Sequence, residues 1–128
     1  MNQRKVSARY YLFEEVVEQT PGFANLRKRM PIGRLQLLAG LVWARESGRG
    51  PCPPIIPLKR NGKYSYFLNG KIRLLPKHRN IGSVLHELAH ALGTRDKLTH
   101  GPAFRERCIR LYREYGEWSG EIDWSPPR

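Results

Sequence analysis

Apolar positions along the chain alternate between two periods, and the change of period divides it. Ile32, Leu35, Leu38, Ala39, Val42 and Trp43 recur at helical spacing behind Pro31, a residue suited to open a helix, and Ser47-Gly48 ends the run. Upstream, Tyr10 to Gln19 predicts a shorter helix stopped by Thr20-Pro21-Gly22. Residues 48–57 are rich in Gly and Pro (Gly50-Pro51-Cys52-Pro53-Pro54) and read as a loop between helices and sheet. Two Asn-Gly pairs, Asn61-Gly62 and Asn69-Gly70, then punctuate Ile55–Arg60, Lys63–Leu68 and Lys71–Pro76. Such pairs suit type I′ hairpin turns, so the pattern predicts a three-stranded antiparallel meander in which Phe67 faces Ile72 and Ser65 faces Leu74. Pro57 has no amide to donate, which confines the first strand to an edge or a late start.

Helical spacing returns at Ile81, Val84, Leu85, Leu88 and Leu92, behind Asn80 as N-cap and ahead of Gly93 as a left-handed C-terminal stop. A last helix is predicted from about Pro102 to Tyr115, with Phe104, Cys108, Leu111, Tyr112 and Tyr115 on its core face. Trp118 and Trp124 follow without periodicity. The expected fold is α+β: a small three-stranded antiparallel sheet packed with helices. At 128 residues it forms one domain spanning 1–128, with room for a core that needs no disulfide.

Composition changes this picture in two ways. Twenty-three Lys and Arg against eleven Asp and Glu give a net charge of +12, and a field of that sign concentrates polyanions such as nucleic acid, or simply keeps the protein soluble. The two cysteines, Cys52 and Cys108, make no disulfide framework and are expected as thiols. That expectation, with the absence of a signal peptide or a membrane-length apolar run, predicts a cytoplasmic protein without a membrane partner.

The chemistry sits in His86-Glu87-Leu88-Ala89-His90, an H-E-x-x-H pattern inside a predicted helix. Positions i and i+4 are stacked neighbours on a helix, so both imidazoles leave one rigid surface in the same direction. Two such nitrogens suit tetrahedral zinc, with a third protein ligand and an open position. Glu87 lies beside them and is placed as a general base, because zinc brings the pKa of its water to about 7. The motif arises by chance on the order of once in a few hundred chains of this length. The third ligand has two candidates. His100 follows a short loop and precedes the final helix; Asp96 completes the spacing His90-Ala91-Leu92-Gly93-Thr94-Arg95-Asp96, an H-x-x-G-x-x-D arrangement. Both donor types are acceptable to zinc. His78, Arg95, Tyr112 and Tyr115 are oxyanion-stabilising candidates by type; His78 is expected as an exposed loop residue and the tyrosines as core. Trp43, Tyr64 and Tyr66 are expected as core or sheet residues rather than base-stacking platforms.

The segment from Ser83 to Leu92, followed by His100-Gly101-Pro102-Ala103-Phe104, resembles the SprT-like (Spartan-like) and related minimal zincin metallopeptidases. The likeness covers about a quarter of the chain closely, or roughly a third with the strand before the helix. It implies zinc on His86, His90 and His100, catalysis by Glu87, a protein or peptide substrate, and a sheet strand beside the cleft. Some members cleave DNA-bound proteins, which the basic charge would suit. The gap from His90 to His100 is shorter than in many members, and the chain has no C-x-x-C pair. On this basis the chain is expected to be a zinc metallopeptidase in which an extended substrate pairs with the free edge of Lys71–Leu75. The rival expectation is a basic nucleic-acid-associated protein whose zinc site is structural or non-catalytic.

Overall fold

A computed structural model of the chain describes residues 24–60, 62, 64–93 and 101–117. A 3-10 turn (Ala24–Arg27) leads to helix α1 (Ile32–Arg45). Three short strands follow: β1 (Ile55–Pro57), β2 (Tyr66–Leu68) and β3 (Lys71–Leu74). A second 3-10 turn (Pro76–His78) leads into α2 (Ile81–Leu92), and α3 (Pro102–Tyr115) completes the described elements. The expected helix over 10–19, the tail tryptophans, Asn61 and the candidate ligands Asp96 and His100 lie outside the described residues. No helix among the described residues is long and apolar enough to cross a membrane.

The class is α+β, as expected, but the sheet is mixed rather than an antiparallel meander. Strand order is β1-β3-β2: β2 and β3 pair antiparallel, with Phe67 opposite Ile72, whereas β1 runs parallel to β3 in the register Ile55–Ile72. Asn69 and Gly70 both take positive φ (52° and 74°), so the second Asn-Gly pair does form a tight hairpin of the predicted kind. β1 and β2 are not neighbours in the sheet, so these two strands do not form the hairpin expected between them. The β1 backbone explains the difference. On its inner side Pro54 O accepts from Ile72 N and Leu58 N donates to Leu74 O. On its outer side Ile55 N donates to Gln36 Oε1 at 2.6 Å, and Gln36 Nε2 donates to Pro53 O. Helix α1 thereby clamps the outer margin of β1, and Pro57, next on that margin, needs no donor there.

β3 therefore occupies the centre of the sheet, with both margins paired. The expected free edge on Lys71–Leu75 does not exist; the sheet margins belong to β1 and β2.

The helices follow the predicted periodicity closely. Leu35, Leu38, Ala39, Val42 and Trp43 are the buried face of α1, and Phe104, Cys108, Leu111, Tyr112 and Tyr115 that of α3. Trp43 folds over the following loop, donating from Nε1 to Gly50 O at 3.0 Å. Its ring lies where a side chain at Gly48 would project, so only glycine fits there. Helix α2 is the hub: it touches α1, α3, β2, β3 and the first 3-10 turn, and buries Ile81, Val84, Leu85, Leu88 and Ala89 completely. A helix so enclosed is held chiefly by tertiary packing.

Candidate metal centre

Helix α2 is fixed at both ends. The Asn80 side chain accepts from Ser83 N at 2.8 Å, the N-cap expected from sequence. At the other end Gly93 has φ −107°, not the left-handed conformation expected of it. The stop is built differently: Arg107, reaching across from α3, donates from Nη1 to Ala89 O at 3.0 Å and occupies the space a Gly93 side chain would need. A cation on the last-turn carbonyls also complements the helix dipole. One turn of α2 within this frame carries His86, Glu87 and His90.

The three side chains converge. Each offers one donor atom, and those atoms all lie within 4.8 Å of one another. His86 Nε2 stands 3.8 Å from Glu87 Oε1. Tetrahedral zinc with bonds of about 2.0–2.1 Å holds its ligand atoms about 3.3 Å apart, and the two imidazoles offer nitrogens within 4.8 Å of each other, a separation of that order. Two neutral imidazoles are nitrogen donors that zinc accepts, and the Glu87 carboxylate stands beside them without being needed as a ligand. The residues present fit the metal.

Burial gives the group its character. Glu87 is only 4% exposed and the His86 side chain 12%, whereas His90 is half-buried. Glu87 is packed among the buried apolar residues of α2 rather than on a separate polar face. Phe104, completely buried on α3, makes the floor. The His90 ring stacks on it (centroids 4.1 Å apart, planes 20° apart), and His86 meets it edge-on at 5.3 Å. The two imidazoles lie 5.1 Å apart in a T-shaped arrangement. An apolar floor weakens screening around the carboxylate and both rings, so charge there acts over a low local dielectric.

Of the residues singled out from sequence, His86, Glu87 and His90 are brought together. Among the oxyanion candidates, Tyr112 and Tyr115 are core residues, as expected. His78 is not an exposed loop residue: it ends the 3-10 turn, half-buried, and Nδ1 is hydrogen-bonded to Ser65 Oγ at 2.7 Å. The same hydroxyl accepts from Leu75 N, so the pair secures the exit of β3. Two further residues shape the centre without a sequence signal that places them there, Phe104 and Arg107. Phe104 is legible only as an apolar position, and nothing in the spacing of Arg107 marks it as a cap for another helix. No protein-family model matches the chain, and neither the curated proteins nor the solved structures contain a match to it.

Proposed function

We propose that the chain is a zinc metallopeptidase whose ion is held by His86, His90 and His100, with Glu87 as the general base. The reading rests on one observation: a carboxylate and two imidazoles with donor atoms within 4.8 Å on one turn of a helix, above a buried phenyl ring. Zinc, when bound, supplies Lewis acidity, polarising a scissile carbonyl and lowering the pKa of a water to about 7. Glu87 accepts that water's proton at its carboxylate and returns it to the departing amine. Its burial keeps the carboxylate in place and limits competing solvent. His86 and His90 orient the ion, and Phe104 fixes the planes of both rings. The resemblance in the His100-Gly101-Pro102-Ala103-Phe104 segment supports His100 as third ligand over Asp96.

Cys52 and Cys108 are both in the thiol form, which suits a reducing, cytoplasmic setting. The test is elemental analysis of protein purified without added metal, beside His86→Ala, His90→Ala, His100→Ala and Asp96→Ala. One equivalent of zinc in the wild type, lost in the three histidine variants and kept in Asp96→Ala, is expected, together with zinc-dependent cleavage of an unfolded protein. Wild type that takes up no zinc even on reconstitution would end the proposal.

A further inference from the structure

The sheet packs Ile55, Phe67, Ile72 and Leu74 towards the helices and turns its other face outward. On that outer face the register places Ile56, Arg73 and Tyr66 in one cross-strand row, and Lys71 beside Leu68 in the next. Tyr64 precedes the strand and is 68% exposed; Leu68 is 53%, Tyr66 40% and Ile56 37%. Leu37 is the one other large hydrophobic so exposed among the described residues. The Arg73 guanidinium sits 5.6 Å from the centre of the Tyr66 ring and donates to Leu68 O at 3.1 Å, which holds a cation against the aromatic group.

Charge along the sequence singles out the same lobe. From Ser47 to His86 the chain carries eight Lys or Arg and not one Asp or Glu. Forty residues without an acid, closing on a face where tyrosines alternate with apolar and cationic side chains, match one kind of partner. A folded protein would have to neutralise Lys71 and Arg73 at the middle of an apolar contact. An acidic peptide would satisfy the charge and leave the tyrosine rings unused. Duplex nucleic acid keeps its bases stacked inside, out of reach of a flat sheet. A single strand offers both parts at once: unstacked bases for the rings and phosphates for the cations.

We propose that this outer sheet face, carrying Tyr64, Tyr66, Lys71 and Arg73, is a docking site for single-stranded nucleic acid. Bases stack on Tyr64 and Tyr66, and Lys71 and Arg73 meet the phosphates on either side. The surface lies on the side of the sheet turned away from α2, so it stands independently of the metal reading.

The test is fluorescence anisotropy of a labelled oligothymidylate of about 20 nucleotides, long enough to span a typical single-strand site, with the full chain at several salt concentrations. Wild type binds. Tyr64→Ala/Tyr66→Ala weakens binding at least tenfold, as expected when two stacking platforms are removed, while Tyr66→Phe keeps it. Lys71→Gln/Arg73→Gln lowers the slope of log K against log salt by about 1.4, roughly 0.7 for each phosphate of a single strand that is no longer neutralised. Zinc content, measured on the same samples, stays at the wild-type level, so this result and that of the metal assay are read separately. The proposal is overturned if the double tyrosine variant binds like wild type, if a duplex of equal length or polyglutamate competes as well as the single strand, or if wild type does not bind at about 50 mM salt, roughly one third of physiological ionic strength.

Discussion

The helical pair α2–α3 and the sheet lobe solve the same problem, burying one face, by opposite means. In the helical pair the contacts that matter lie close in sequence. His86, Glu87 and His90 share one turn, so local periodicity already places these three, and Phe104 is added by the next described helix. In the sheet lobe the deciding contacts are remote. β1 is clamped by Gln36, 19 residues away, and pairs with β3 across the intervening strand in the sequence. The chemical content differs as sharply. The helical pair buries an acid against two imidazoles, whereas the lobe has no acid at all. One half is built to hold a charge in a dry, fixed place; the other spreads like charges over an open surface.

The largest expected effect tests the first half of that contrast. Glu87→Gln preserves shape and removes the proton acceptor, so cleavage of an unfolded protein should fall by a factor of roughly 10²–10⁴ or more while zinc content holds. Single-turnover assays on metal-loaded protein read this directly. Turnover at the wild-type rate would show that the buried carboxylate serves packing alone.

Next in size is the floor. Phe104→Ala should cost about 3–5 kcal/mol, since it removes a completely buried ring from the core. Phe104→Leu should cost less than about 1.5 kcal/mol, because volume is nearly kept. It still removes the flat surface under His90 and should weaken zinc binding about tenfold, the lower end for groups that orient metal ligands. Urea unfolding and titration against a chromophoric chelator separate the two effects. Unchanged affinity in Phe104→Leu would reduce Phe104 to an ordinary core residue.

These two residues also show how far the sequence can be read. Glu87 is identified by spacing alone, because a helix converts sequence distance into direction. The buried stripes of α1, α2 and α3 are legible for the same reason, as is the Asn80 cap. Phe104 is visible as core but not as the surface under an imidazole; that contact depends on how α3 crosses α2, and periodicity is silent about crossing. The sheet order departs from the expected meander because an Asn-Gly pair reports a turn and nothing about which strands lie side by side. The stop at Gly93 departs likewise: its backbone is not left-handed, and the Arg107 guanidinium, contributed by α3, fills the space beside it.

The remote clamp on β1 carries a smaller prediction. Gln36→Ala leaves Ile55 N and Pro53 O without their side-chain partner, and should cost about 1–3 kcal/mol for two hydrogen bonds. Hydrogen exchange localises the loss: the Leu58 amide, which donates to Leu74 O, should lose protection, whereas the amides that pair β2 with β3 should keep it. Equal loss on both sides would mean that the two margins of β3 open together and that β1 is no separate unit.

The smallest effect concerns the seam between α1 and α3, where Glu46 receives hydrogen bonds from Arg110 and, at 3.2 Å, from the Tyr115 hydroxyl. The Arg110 hydrogen bond holds the Glu46 carboxyl below its ordinary 4.5, against some opposing burial. Burial first, and then the Glu46 charge, push the Tyr115 phenol up to about 12. The signs follow from linkage. A depressed carboxyl contributes stability above its unfolded value and loses it as pH falls through the folded one. A raised phenol contributes stability below about 10 and loses it as pH climbs towards about 12. Stability should therefore have a plateau bounded on the acid side by Glu46 and on the alkaline side by Tyr115. Arg110 is half exposed, so the pair is screened and Glu46→Gln should cost about 1 kcal/mol or less at neutral pH. Its signature lies in the shape of the profile. The Glu46 share of the acid loss should vanish in the variant, and the alkaline loss should become shallower, because the phenol then lacks the neighbouring charge. Urea midpoints from about pH 3 to about pH 11.5 (limits roughly one to one and a half units outside the ordinary carboxyl and phenol values) measure both limbs. An acid limb identical to that of wild type would assign the loss to other carboxylates and leave Glu46 as a neutral hydrogen-bond acceptor at the seam.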